Sequence, residues 1–156
     1  MTALTKDHLH SQIRYAIRLT ERTARLYRKI QAAGYVLTIV GGSAALAGFG
    51  KLLPDWAVTL GAVLFVIAGA VLIAVRPADK IAQNDADARR YQALMAKSVK
   101  MNEVDLEEAL EEARLSGAPE VEPLRDVAYN DVVVECNRPD IVVALRPIQR
   151  LLAALA

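Results

Sequence analysis

The sequence predicts an all-α membrane protein: a two-helix transmembrane hairpin, with an amphipathic helix before it and a cytoplasmic helical domain after it. Three observations carry this. Residues 32–50 hold no ionisable side chain, and their only polar side chains besides the Tyr35 hydroxyl are Thr38 and Ser43. Residues 56–75 form a second such run, with Thr59 as the only conventional polar side chain. Between them lies Lys51-Leu52-Leu53-Pro54-Asp55, a linker short enough to force the second helix straight back. A hydrocarbon core of about 30 Å takes about 20 helical residues to cross, and a helix leaves no backbone polar group unpaired inside it.

The soluble alternative fails on surface area. Two adjacent all-apolar helices need a large polar shell, and 156 residues cannot supply that shell and an ordinary core as well. A signal peptide fits poorly, because over thirty residues of basic, patterned sequence come first and a second span follows. The organisation expected is therefore a basic amphipathic helix over residues 1–31, a transmembrane hairpin over residues 32–75 (spans 32–53 and 56–75), and a helical domain over residues 76–156.

The first element is read from its charge pattern. At 100° per residue, Arg14, Arg18, Arg22, Arg25, Arg28 and Lys29 occupy about a third of the helix circumference. Leu9, Ile13, Ala16, Ile17, Leu19, Leu26, Tyr27 and Ile30 occupy the rest, and Asp7 or Thr5 is placed to cap the start. Two roles suit the basic stripe. One is bland: a belt at lipid phosphates, or a partner for acidic parts of the same protein. The other is an anion-binding surface made by Arg14, Arg18, Arg22 and Arg25, whose guanidinium forks grip phosphates two bonds at a time. A stripe of four turns suits an extended polyanion better than a single phosphate.

The spans come next. Basic residues flank the hairpin on both sides (Arg22, Arg25, Arg28 and Lys29 before it, Arg76, Lys80, Arg89 and Arg90 after it), whereas its turn offers only Lys51, offset by Asp55. The positive-inside rule then puts both termini in the cytoplasm. Trp56 and Tyr35 stand near opposite ends of their spans, where amphipathic rings favour the interface. Small residues line the first span at Gly34, Thr38, Gly41, Ala45 and Gly48, and the second at Ala57, Gly61 and Ala68. Such faces let helices approach closely, either within the hairpin or between copies. In the second case the first-span set would line a pore. No ionisable group lies at the midplane of either span, unlike coupled transporters.

After Val75, Arg76-Pro77 marks a kink or a new helix start. Ile81, Ala88, Tyr91, Met95 and Val99 recur at helical spacing over residues 78–100. Asn102 can cap a helix over residues 103–115, which sets Leu106, Ala109, Leu110 and Ala113 opposite six carboxylates, and Ser116-Gly117 ends it. A linker over residues 118–123 leaves Pro123 in a first helical turn. Residues 124–136 read as helix despite Val132-Val133-Val134, because no partner strand is at hand. The apolar segment over residues 141–156 is interrupted at Pro147.

The net charge of +1 conceals segregation: +5 over residues 1–31, 0 over 32–75, +3 over 76–102, −9 over 103–135 and +2 over 136–156. The carboxylates at Glu103 to Glu112 read as a solvated helix face, since calcium and magnesium need loop geometry or further ligands. His8 and His10 lack a ligand cluster. No metal or cofactor is expected. There is no Ser-His-Asp set, P-loop or CxxC pair, so no enzyme is expected. The single Cys136 reads as a small buried hydrophobe.

The Arg-rich helix over residues 14–29 feeds a Gly-rich span, and Leu53-Pro54-Asp55 follows as a short turn. With the helix over residues 79–91 and the segment Leu124-Arg125-Asp126-Val127-Ala128-Tyr129-Asn130, nearly the whole chain resembles the SLATT family, two-transmembrane-helix effectors of bacterial nucleotide-signalling and conflict systems. The resemblance implies a multi-pass protein of the bacterial inner membrane that forms pores as an anti-phage effector. It also implies control by a nucleotide or oligonucleotide from a partner nucleotidyltransferase. The expected assembly is a homo-oligomer, a tetramer or pentamer. The competing class is a non-conducting membrane adaptor that recruits a cytosolic partner through its charged helices.

Overall fold

The computed structural model describes residues 5–50 and 52–156. Lys51, the basic residue of the expected turn, and residues 1–4 of the expected N-terminal segment lie outside the described residues. Six α-helices account for most of the chain: α1 (Lys6–Phe49), α2 (Asp55–Val75), α3 (Pro77–Lys97), α4 (Glu103–Leu115), α5 (Arg125–Glu135) and α6 (Pro147–Leu155). Among the described residues there is no strand.

The chain divides into two compact units, one containing the chain up to Leu26 with Lys80–Ala156, the other Tyr27–Asp79. The first part of α1 shares a core with the C-terminal helices, because Leu9 and Ile13, both fully buried, cluster with Tyr91, Leu94, Leu106, Leu110 and Ala113. Thr5 bounds α1, its carbonyl accepting the N–H groups of His8 and Leu9 at 2.9 and 3.1 Å. Asp7 lies inside the first turn, where a negative charge opposes the helix dipole favourably.

In α3 the core face runs through Asn84, Asp87, Ala88, Tyr91 and Leu94 to Ser98. Val99, expected on that face, is 76% exposed. The α-helix tightens after Lys97 into a 3-10 turn, and Ser98 turns inward with its hydroxyl donating to the Met95 carbonyl at 2.7 Å. Asn102 caps α4 as expected, accepting the Asp105 N–H at 2.8 Å. The other end of α4 falls at Ser116-Gly117, yet no described glycine has positive φ. The Ser116 hydroxyl closes the helix instead, donating to the Glu112 carbonyl at 3.0 Å. Leu124 is fully buried in the turn before α5, and Val127, Ala128, Val132 and Val133 form the buried face of α5. Cys136 is exposed rather than buried, because α5 ends at Glu135 and carries it out of that face.

The second unit consists of the end of α1, α2 and the start of α3. Positions along α1 and α2 run in opposite senses: Gly34 faces Leu72, Gly41 faces Gly61 and Phe65, and Gly48 faces Val58. At Arg76 the backbone is left-handed, φ 49°, which ends α2 before Pro77 begins α3. Both long helices are long and apolar enough to cross a membrane, and only 11% of the most apolar window of each is buried. A soluble core helix would be mostly buried. Here Ile39, Leu46 and Ile73 are 67%, 69% and 78% exposed.

Candidate functional site

The basic stripe, up to Arg25, belongs to the first unit. α1 presents Arg18 and Arg22 to α5, and α5 answers with acidic side chains one turn apart. The Arg22 Nε and Nη2 atoms donate to the two oxygens of Asp131, each at 2.8 Å, and Nη1 reaches the Ala153 carbonyl at 3.1 Å. Arg18 donates to Glu135 through Nε at 3.2 Å and Nη2 at 3.0 Å, and through Nη1 to Glu21 at 3.2 Å. Its hydrogen bond to Glu135 holds the Arg18 guanidinium above its ordinary pKa. Arg25 donates to the Glu21 carbonyl at 3.4 Å, and Arg14 approaches the Cys136 sulfur at 3.7 Å.

Arg18, Arg22 and Arg25 therefore share an open groove of about 460 Å³ with Asn130, Asp131, Val134 and Glu135. Of the two roles that suit the stripe, Arg18 and Arg22 show pairing with acidic side chains of the same chain. Two of its guanidinium groups already hold carboxylates, so an anion entering the groove must displace Glu135 and Asp131 first. Arg14 is not among the groove's lining residues.

The small-residue stripe also finds its role within the chain. A Cβ added at Gly41 would lie 2.6 Å from the Gly61 carbonyl oxygen and 2.8 Å from the Phe65 nitrogen. One added at Gly34 would meet Leu72 at 2.6 Å, and one at Gly48 would meet Val58 at 2.6 Å. From the other side, a Cβ at Gly61 would meet Ala44 at 2.5 Å and lie 3.5 Å from the Ala45 nitrogen. Thr38, on the same stripe, returns its hydroxyl to the Gly34 carbonyl at 2.8 Å. Of the set expected to pack within the hairpin or to line a pore (Gly34, Thr38, Gly41, Ala45 and Gly48), the three glycines lie against α2. Ser43, on the far side of α1, is exposed.

A second polar cluster was not read from the sequence. Thr23, Asn84 and Asp87 are buried around a cavity of about 80 Å³ that Tyr91, Arg114 and Gly117 also line. Asp87 accepts the Ala118 N–H at 2.7 Å and pairs with Arg90 at 3.4 Å. The cavity suits a few waters and no organic substrate. Burial first, then the Asp87 charge, pushes the Tyr91 hydroxyl upward. The signal was present in the helical spacing of Asn84, Asp87, Tyr91 and Ser98.

Tyr15 behaves in the same way. Burial, with Glu120 as the next cause, pushes its pKa up to about 12 from 10.0. The neutral phenol is the form the fold prefers, so its contribution is complete below pH 10 and is lost as pH rises through 12. A circular-dichroism titration should show destabilisation over that interval, and Tyr15→Phe should remove part of it.

His8 Nε2 and Gln12 Nε2 lie 2.7 Å apart, and His10 Nε2 is buried without a hydrogen-bond partner. Among the described residues no group of three or more His, Cys, Asp or Glu side chains is placed to hold a metal ion. Comparison of the chain with protein-family models, with curated proteins and with solved structures finds no match.

Proposed function

We propose that this chain is a two-span protein of the bacterial inner membrane, with a cytoplasmic helical domain and both termini in the cytoplasm, and that it acts as an oligomeric pore-forming effector. The observation that carries the reading is the exposed apolar surface of α1 and α2, which water would not tolerate and lipid would cover. Orientation rests on the Lys and Arg residues flanking the two helices. The SLATT-like architecture supports the effector role and control by a nucleotide or oligonucleotide from a partner nucleotidyltransferase. Two helices enclose no aqueous path, so conduction takes several copies, a tetramer or pentamer. With the glycine face occupied by α2, the pore axis runs along the face that bears Ser43. The wall there is mostly apolar and gates by wetting and dewetting. An anionic signal acts at the groove of Arg18 and Arg22, by competing with Glu135 and Asp131.

The second reading, a non-conducting adaptor that recruits a cytosolic partner through its charged helices, draws on that same pairing, since Arg18 and Arg22 already hold carboxylates without a ligand. Purified protein in dye-loaded liposomes separates the two. The pore reading expects leakage that rises steeply with the protein-to-lipid ratio. Protein that resists alkaline extraction yet leaks no more than empty vesicles is an adaptor.

A further inference from the structure

Helix α6 is seated with Gln149 and Ala156 buried and Leu152 and Ala153 half-buried. The buried Gln149 donates to Asp126 at 2.7 Å and accepts the Arg146 N–H at 2.8 Å, while the Ala153 carbonyl accepts from Arg22 at 3.1 Å. Three of its four large apolar side chains face away: Ile148 is 61% exposed, Leu151 60% and Leu155 40%. At 100° per residue these three fall within about 60° of arc, so they form one narrow stripe. Arg146 and Arg150 lie together on the other side of the helix, about 100° or more from its nearest member. Arg150 is exposed and Arg146 is largely so, and no acidic residue follows Asp140 in the chain.

We propose that this face of α6 docks on an anionic phospholipid surface, the cytoplasmic leaflet of the membrane that the chain itself crosses. The inference rests on the membrane reading above. An apolar stripe with arginines on the polar side of the same helix is the composition of helices that lie in the interface plane, and the cytoplasmic leaflet is negatively charged. A second copy of the chain suits the face less well. Three partly exposed aliphatic side chains offer roughly 200–300 Å², against about 800 Å² per partner in a stable protein interface. So small a contact is effective when the surface is held close, and a domain tethered to its membrane has that surface at high effective concentration.

The test uses the full chain in a Cys136→Ser background, with Ala154→Cys, beside the apolar arc, carrying an environment-sensitive fluorophore. The protein is reconstituted into phosphatidylcholine vesicles with and without phosphatidylglycerol. Alkaline extraction comes first: protein stripped by alkali overturns the membrane reading and this inference with it. For protein that stays, lipids brominated in the acyl chain should quench the dye several-fold more when phosphatidylglycerol is present. Arg146→Glu combined with Arg150→Glu should abolish that difference, and Ile148→Ser should reduce quenching in both vesicles, with extraction resistance unchanged. Strong quenching by aqueous iodide in both vesicle types, with none by brominated lipid, would overturn the proposal. Dye self-quenching that rises with protein density, again with no effect of brominated lipid, would assign the face to a second copy.

Discussion

Replacing Gly41 by Leu should separate α1 from α2, costing about 3 kcal/mol or more of helix-pair stability, at or beyond the upper end for overpacking. The reason lies in what surrounds the position. The first carbon of any side chain there meets the Gly61 carbonyl oxygen at 2.6 Å and the Phe65 nitrogen at 2.8 Å. Both are backbone atoms, which cannot rotate aside, so the helices must part. Gly41→Ala should already show much of the effect. At Gly34 the neighbour is the end of the Leu72 side chain, which has rotamers to spare, and Gly34→Ala should be milder. Gly69 has nothing within 4 Å, so Gly69→Ala should be neutral or gain up to about 1 kcal/mol from helix propensity. Unfolding in mixed micelles, followed by the single Trp56, gives the order Gly41, then Gly34, then Gly69. A Gly41→Leu protein as stable as the parent would mean that this face is not held against α2. Loss of leakage in that variant would report separation of the helices rather than obstruction of a pore.

Helix ends were legible in the sequence wherever the signal is local. Pro54, Arg76-Pro77, Asn102, Ser116-Gly117, Pro123 and Pro147 all act through their own backbone or that of a near neighbour, and each marks a boundary in the structure. Pairings that close over long chain separations were not legible. The stripe of Arg18 and Arg22 is obvious as a pattern, but its partners Glu135 and Asp131 lie more than a hundred residues away, and nothing near Arg22 in the chain announces them. The glycine stripe gives the same lesson from the opposite side. Spacing identifies a close-packing face but not its occupant, and here the occupant is the adjacent helix. Val99 and Ser98 exchanged places because a tightened final turn changes register, which a fixed 100° step cannot represent. The seating of α6 was hidden for a further reason. A period of apolar residues is ordinarily taken to face inward, and Ile148, Leu151 and Leu155 face outward.

Breaking the Arg22–Asp131 pair should unseat α5 and α6 from α1. The pair is a two-bond fork at 2.8 Å with side chains 20% and 27% exposed, which places it between two regimes. Exposed pairs contribute about 0–1 kcal/mol, whereas breaking a buried one costs about 3–5 kcal/mol. Arg22→Ala should therefore cost about 2 kcal/mol, an effect increased by the Ala153 carbonyl, which loses its donor. A domain of this size shifts by about 4–8 °C per kcal/mol, so melting in detergent should fall by about 10 °C. Arg22→Lys should recover less than half of the loss, because an ammonium is a point charge and cannot span both carboxylate oxygens. Arg125→Ala serves as the control. Arg125 also pairs with two carboxylates, Glu120 and Glu122, but at the open surface, so its loss should leave the melt unmoved. The decisive comparison exchanges the partners: Arg22→Asp together with Asp131→Arg should regain at least half of what Arg22→Asp alone loses. An exchange that regains nothing would show that packing around Arg22, and not its charge, holds α5 in place. In that case an anionic ligand entering the groove has no electrostatic contact to break at Arg22, and control of the protein through Arg22 fails with it.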